Sequence, residues 1–162
     1  MGEFKYSIRE ATADDAENLL AFLKQVGGES DNLTFDARGF PFTIEQEREY
    51  LLKRTKTNAS ITFLALEGTK IIGSLGIDTS PFERVSHRGE MGISVLREYW
   101  GRGVASALLE MMFSWIRKSP TGLRKIDISV RKDNERAIAL YKKFGFKQEG
   151  RIARFLMIGN TF

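Results

Sequence analysis

Chemistry concentrates in the stretch Gly92-Ile93-Ser94-Val95-Leu96-Arg97-Glu98-Tyr99-Trp100-Gly101-Arg102-Gly103-Val104-Ala105-Ser106, where an alternating apolar run passes through two glycines into an amphipathic segment. A strand-to-helix turn of this kind aims the unpaired N–H groups of the first helical turn, and the positive end of the helix dipole, at one spot. Such a spot holds an anion. The glycines let the backbone come close to a phosphate, and the small residues Ala105 and Ser106 leave the first turn of the helix clear. A tight turn with no ligand would use the same residues, so the pattern names neither the anion nor its carrier. Two nucleotide signatures are absent: no Gly-x-Gly-x-x-Gly follows the first strand, and there is no Gly-Lys-Ser/Thr phosphate loop. With no cysteine and His87 as the single histidine, thiol nucleophiles, thiolate metal sites and Ser/His or Cys/His pairs are poor candidates.

The elements that must position this turn fit one domain. A chain of 162 residues, 42% hydrophobic and 11% aromatic, buries one core and leaves no room for a second full domain. No run of eighteen apolar residues occurs, and the charged start MGEFKYSIREATADDAENLL is unlike a signal peptide, so a cytoplasmic protein with no membrane span is expected. The net charge of +4 hides an asymmetry: residues 1–96 sum to −4 and residues 97–162 to +8. A basic half suits a phosphate-rich ligand and an acidic half a cationic one, unless both are simply solvated faces. No helix-turn-helix or aromatic RNA-binding motif accompanies the basic residues, so nucleic acid is not the expected partner.

Phe4, Tyr6 and Ile8 alternate as a strand. Thr12-Ala13-Asp14-Asp15 resembles a capping box opening a helix with Leu19, Leu20, Leu23 and Val26 on one face, stopped by Gly27-Gly28. A loop over 29–42 carries Glu29, Asp31 and Asp36, and Thr43-Ile44-Glu45-Gln46 caps a second helix. Strands over 61–66 and 70–77 form a hairpin about Glu67-Gly68-Thr69, and another strand covers 90–95. The long helix that follows has Ala105, Leu108, Leu109, Met112, Phe113 and Ile116 at i, i+3, i+4, i+7, i+8 and i+11. Ile126, Ile128 and Val130 alternate as a strand; Asp133 or Asn134 caps a helix ended by Gly145, and a last strand is expected near Phe146. Strands interleaved with helices make a mixed α/β layer fold.

The segment from Gly92 to Ser106, followed one strand later by Asn134-Glu135-Arg136-Ala137-Ile138-Ala139-Leu140-Tyr141-Lys142-Lys143-Phe144-Gly145-Phe146, resembles the two signature regions of the GNAT superfamily of acyl-CoA-dependent N-acetyltransferases. The resemblance covers nearly the whole chain. It implies a single N-acetyltransferase domain over 1–162, with a mixed, mostly antiparallel sheet flanked by helices, and acetyl-CoA (or coenzyme A as product) as co-substrate. The family's Gln/Arg-x-x-Gly-x-Gly/Ala turn falls on Trp100, Gly103 and Ala105, with Trp in place of Gln/Arg. Backbone groups of Ile93 and Val95 would then meet the pantetheine arm. The amides of Gly101, Arg102, Gly103, Val104, Ala105 and Ser106 would hold the pyrophosphate, Asn134 would bond the cofactor, and the Tyr141 hydroxyl would face the thioester sulfur. Arg102 and Lys143 are candidates for the outer phosphates. Relatives continue past the Gly159-to-Phe162 segment into a closing strand; without it, an unpaired edge would favour pairing with a second copy as a homodimer.

Amide formation from a thioester needs a neutral amine, a stabiliser for the oxyanion and a proton for the departing thiolate. A phenol of pKa about 10 can supply a thiol of pKa about 8.5, which suits Tyr141, and Val95 N–H at the strand end suits the oxyanion. An alkylammonium of pKa about 10.4 costs roughly 4.6 kcal/mol to deprotonate at pH 7, a peptide α-amine of about 7.7–8.0 only about 1. Glu90 is the candidate base, acting through a water, unless it is a solvated carboxylate or the ion-pair partner of Arg88. Asn134 can serve as a helix cap as well as a ligand, and the catalytic reading of Tyr141 competes with one as a core aromatic beside Ala137, Leu140 and Phe144. The expected activity is acetyl transfer to a primary amine of a small molecule or peptide, with a protein N-terminus or a non-catalytic acyl-CoA-binding module as alternatives.

Overall fold

The computed structural model describes residues 4–57 and 59–162. Strand β1 (Ser7–Glu10) leads through a 3-10 turn at Ala13–Asp15 into α1 (Ala16–Gly27), and a long loop leads to α2 (Ile44–Thr55). The hairpin β2 (Ile61–Glu67) and β3 (Lys70–Thr79) follows, then β4 (Arg88–Val95), α3 (Val104–Lys118), β5 (Lys125–Asp127) and α4 (Glu135–Lys143). The sheet runs β1-β2-β3-β4-β5. The first four strands are antiparallel and β5 lies parallel to β4.

Helices cover both faces. A Cβ on Gly73 would meet Val104 and Leu108 of α3, whereas one on Gly76 would meet Arg54 of α2, and residues three apart on a strand face opposite ways. Double coverage is why Ile61 to Leu66 and Ile71 to Leu75 are buried almost without alternation. Leu108, Leu109 and Met112 are fully enclosed, and Phe113 and Ile116 flank them, so the stripe of α3 packs as its period requires.

The turn before α1 is tied by Asp15, which accepts a two-bonded ion pair from Arg9 (2.8 Å each) and the Thr12 N–H (2.8 Å). These contacts hold its carboxyl down at about 2. The folded value lies below the unfolded one, so this contribution is complete above about pH 4 and is lost as pH falls through about 2. We expect Asp15→Asn to cost about 2 kcal/mol at pH 7. In urea melts at several pH values, the gap to wild type should close near pH 2.

Two strand expectations are corrected. β5 stops at Asp127, leaving Ile128 and Val130 outside it, and 146–162 holds no strand beyond an isolated bridge between Ile158 and Thr161. A strand exists only against a partner edge, and β4 is in register with β5 for just three residues. Ile152, Phe155, Met157 and Phe162 consequently stay exposed.

Candidate functional site

β4 and β5 run together from Arg88–Lys125 to Glu90–Asp127 and then part. On the other side of β4, Leu96 N–H donates to the Ile72 carbonyl at 3.0 Å. Strand alternation therefore turns the backbone groups of Ile93 and Val95 away from β3, toward the side where β5 has left. The result is an open slot edged by peptide donors and acceptors. One acceptor is occupied: the Val95 carbonyl receives Trp100 Nε1–H at 2.7 Å.

Directly beyond the slot lies the turn into α3. Gly101 (φ 78°) and Gly103 (φ 83°) both adopt the left-handed conformation, which a side chain would strain, and Gly103 caps the helix. The Arg102 amide turns inward to the Tyr99 carbonyl (3.4 Å), and its guanidinium lies over the Phe4 and Tyr99 rings. Backbone amides of Gly101, Gly103, Val104, Ala105 and Ser106 find no backbone acceptor among the described residues. Five donors converge at the positive end of a fifteen-residue helix.

A cleft of about 770 Å³ opens beside this turn, with Glu29, Arg97, Trp100, Asn134 and Arg136 among its walls. The loop after α1 closes over it through two contacts: Glu29 accepts Arg97 N–H at 2.6 Å, and Arg131 Nη1 donates to the Asp31 carbonyl at 3.0 Å. Gly27 permits the approach, because a Cβ there would stand 2.2 Å from the Asp36 carbonyl oxygen. Asn134 caps α4, its Oδ1 accepting Ala137 N–H at 3.2 Å, which leaves the amide NH₂ for the cleft. Arg102 and Lys143 do not line the cleft. Lys143 is exposed in the last turn of α4, about 10 Å along the helix from Arg136.

Tyr141 is 9% exposed, in the core cluster and edge-on to Phe146 at 5.7 Å. Burial alone pushes its phenol up to about 12. Glu90 lies on the opposite face of β4 from Val95, five residues away, roughly 17 Å of strand. That span exceeds a single water. Arg88, the ion-pair partner that sequence offered as one alternative role for Glu90, binds Asp127 at 2.7 Å. Glu90 stands in register between Asp78 of β3 and Asp127 of β5, next to open space above Gly92. Arg54 pairs with Asp78, and Arg88 and Lys125 pair with Asp127, so Glu90 is the carboxylate of this row that has no ion pair among the described residues.

Trp100 is 37% exposed and stands in the cleft wall, and Arg97, Arg131, Arg136 and Glu29 join it there. Only the charge asymmetry between the two parts of the sequence hinted at this group.

Residues 30–146 match the family model of the acetyltransferase (GNAT) family. The chain belongs to the GNAT family. A GNAT-family acetyltransferase from Streptococcus pneumoniae superposes with a TM-score of 0.92 at 35% identity, covering 97% of this chain and 93% of that one. The L-amino acid N-acetyltransferase AaaT of Escherichia coli is 40% identical over 84 residues, 49% of each protein. The N-alpha-acetyltransferase RimI of Mycobacterium tuberculosis is 32% identical over 101 residues, 60% of this chain and 58% of that protein. The chain spans about half the length of the curated relatives it matches. No helix among the described residues is long and apolar enough to cross a membrane.

Proposed function

We propose that this chain is an N-acetyltransferase that passes the acetyl group of acetyl-CoA to a primary amine of a small molecule or peptide by direct attack in a ternary complex. The reading rests on the open edge of β4 running into five free amides, a linear track with hydrogen-bonding groups first and an anion site last. That order fits a pantetheine arm followed by a pyrophosphate. Ile93 and Val95 take the arm; Gly101, Gly103, Val104, Ala105 and Ser106 take the phosphates; the Asn134 amide bonds the cofactor from the opposite wall.

Acetyl-CoA supplies an activated thioester. The protein supplies the rest: Val95 N–H takes up the charge developing on the carbonyl oxygen, and the Tyr141 hydroxyl meets the sulfur as the C–S bond breaks. The amine approaches over Gly92, drawn by Glu90, and its proton leaves by a chain of waters toward Glu90. Because an alkylammonium holds its proton more tightly than a peptide α-amine, Glu90→Gln should lower kcat about tenfold for an alkylamine at pH 7 and much less for a peptide. Parallel assays of both acceptors check this.

The similarity to an N-alpha-acetyltransferase favours a second reading, in which the acceptor is a protein N-terminus. Calorimetric titration with acetyl-CoA, run beside thiol release over amines, amino acids and N-terminal peptides, separates the two. Micromolar binding with release on one acceptor class is the expected result. Absence of acetyl-CoA binding would overturn the proposal.

A further inference from the structure

Trp100 occupies the position where the family's turn carries Gln or Arg, so the side-chain contact that such a residue would make must be absent or come from elsewhere. Two guanidiniums stand at its ring: the Arg136 Cζ at 5.0 Å from the centroid and the Arg97 Cζ at 5.6 Å. The ring is itself held, by the bond from Nε1 to the Val95 carbonyl. Arg136 arrives from α4 and its Nη2 stands 3.8 Å from where a Gly101 Cβ would be, beside the left-handed turn. Neither arginine forms an ion pair among the described residues, although carboxylates of Glu29, Asp31, Asp133 and Glu135 share the cleft. Two exposed cations gathered on one indole repel each other, and the ring's negative face offsets only part of that. An anion between them would offset the remainder.

We infer that Arg136, delivered across the cleft from α4, is the side-chain ligand of the diphosphate, and that Trp100 is the positioning residue that holds it and Arg97 over the turn. The inference rests on the acetyl-CoA reading above. It gives the tryptophan substitution a purpose: the guanidinium comes from a distant helix, so the phosphate site forms only when α4 packs against the turn. Guanidinium pairs with phosphate in a two-bonded geometry that lysine lacks, and the expected loss on removing one is about tenfold in affinity.

Calorimetry with coenzyme A, dephospho-coenzyme A and pantetheine tests it. Arg136→Gln should weaken both nucleotide ligands about tenfold and leave pantetheine unaffected, while Arg117→Gln, exposed in the last turn of α3 at the far end of the helix from the turn, changes none. A loss confined to coenzyme A would place Arg136 on the 3′-phosphate and overturn the diphosphate assignment; no loss with either would overturn the ligand role altogether. For Trp100, the double variant Trp100→Leu/Arg136→Gln should bind no more weakly than the weaker single variant, since Arg136 contributes little once its ring is gone. Additive losses would show the two residues acting separately and refute the positioning role. Wild-type protein that binds none of these ligands would instead defeat the acetyl-CoA reading itself.

Discussion

Tyr141→Phe should lower kcat by about 10²–10³ while leaving the Kd for acetyl-CoA within about twofold of wild type. With its phenol pushed up to about 12 by burial, Tyr141 stays protonated throughout the neutral range, as the proposed donor must. A thiolate leaving group of conjugate pKa about 8.5 gains from that donor only as the C–S bond breaks, so the loss belongs in kcat. The ring packs on Phe146 in the core and its hydroxyl has no hydrogen bond among the described residues, so phenylalanine keeps the packing and the variant should melt within a few degrees of wild type. Single-turnover thiol release together with calorimetry checks both halves. An unchanged kcat would remove Tyr141 from the reaction, and a parallel loss of binding would make it a ligand of the cofactor. The same measurement separates an enzyme from a module that only binds acyl-CoA, for which neither protein would release thiol.

A larger effect on stability is expected from Arg54→Met. The Arg54 side chain is 6% exposed and donates to the Ile61 and Ile77 carbonyls, partners across β2 and β3, and to Tyr50 and Asp78. It pins α2 to the sheet, and Gly76 beneath leaves it room. Removing one member of a buried charged network costs about 3–5 kcal/mol, which for a chain of this length is a fall in Tm of about 10 °C. Glu47, 2% exposed with Oε2 unpartnered, makes the loss depend on pH. Burial raises its carboxyl above the ordinary value, and Arg54 is the charge that opposes the rise. Without Arg54, the folded state holds that proton more firmly than the unfolded state does, so stability declines as pH rises from about 4.5 toward neutrality. Thermal melts from pH 4 to 8 should show the gap to wild type widening with pH, and adding Glu47→Gln should remove that dependence. A gap that stayed constant would mean that Glu47 and Arg54 do not interact.

Local pattern was sufficient wherever one segment carries its own reason to fold. The period of α3 required a buried stripe, and Leu108, Leu109 and Met112 form one. Thr43 and Gln46 cap α2 reciprocally, Thr43 Oγ1 accepting Gln46 N–H at 3.2 Å and Gln46 Oε1 accepting Thr43 N–H at 2.8 Å. The two glycines before α3 announced a turn with free amides, and the motif around Asn134 and Tyr141 announced the family. Nothing local required Arg54 and Glu47 to be buried, since on α2 they resemble any charged solvent face.

What only the tertiary structure decided depends on partners far apart in sequence. Strand character in Ile128, Val130 and the segment after Phe146 was legible as alternation, yet a strand forms only against an edge, and β4 and β5 part after three pairs. Glu29 reaches an amide 68 residues away, Arg131 a carbonyl 100 residues away, and Arg136 stands at a tryptophan on the other wall of the cleft. Glu90 and Val95 share a strand, but the pleat turns them to opposite faces. Residue types and spacing along one chain therefore determined the elements and the family, whereas the distances between side chains on different elements, which set charge, burial and reach, came into being only when the sheet and its helices packed together.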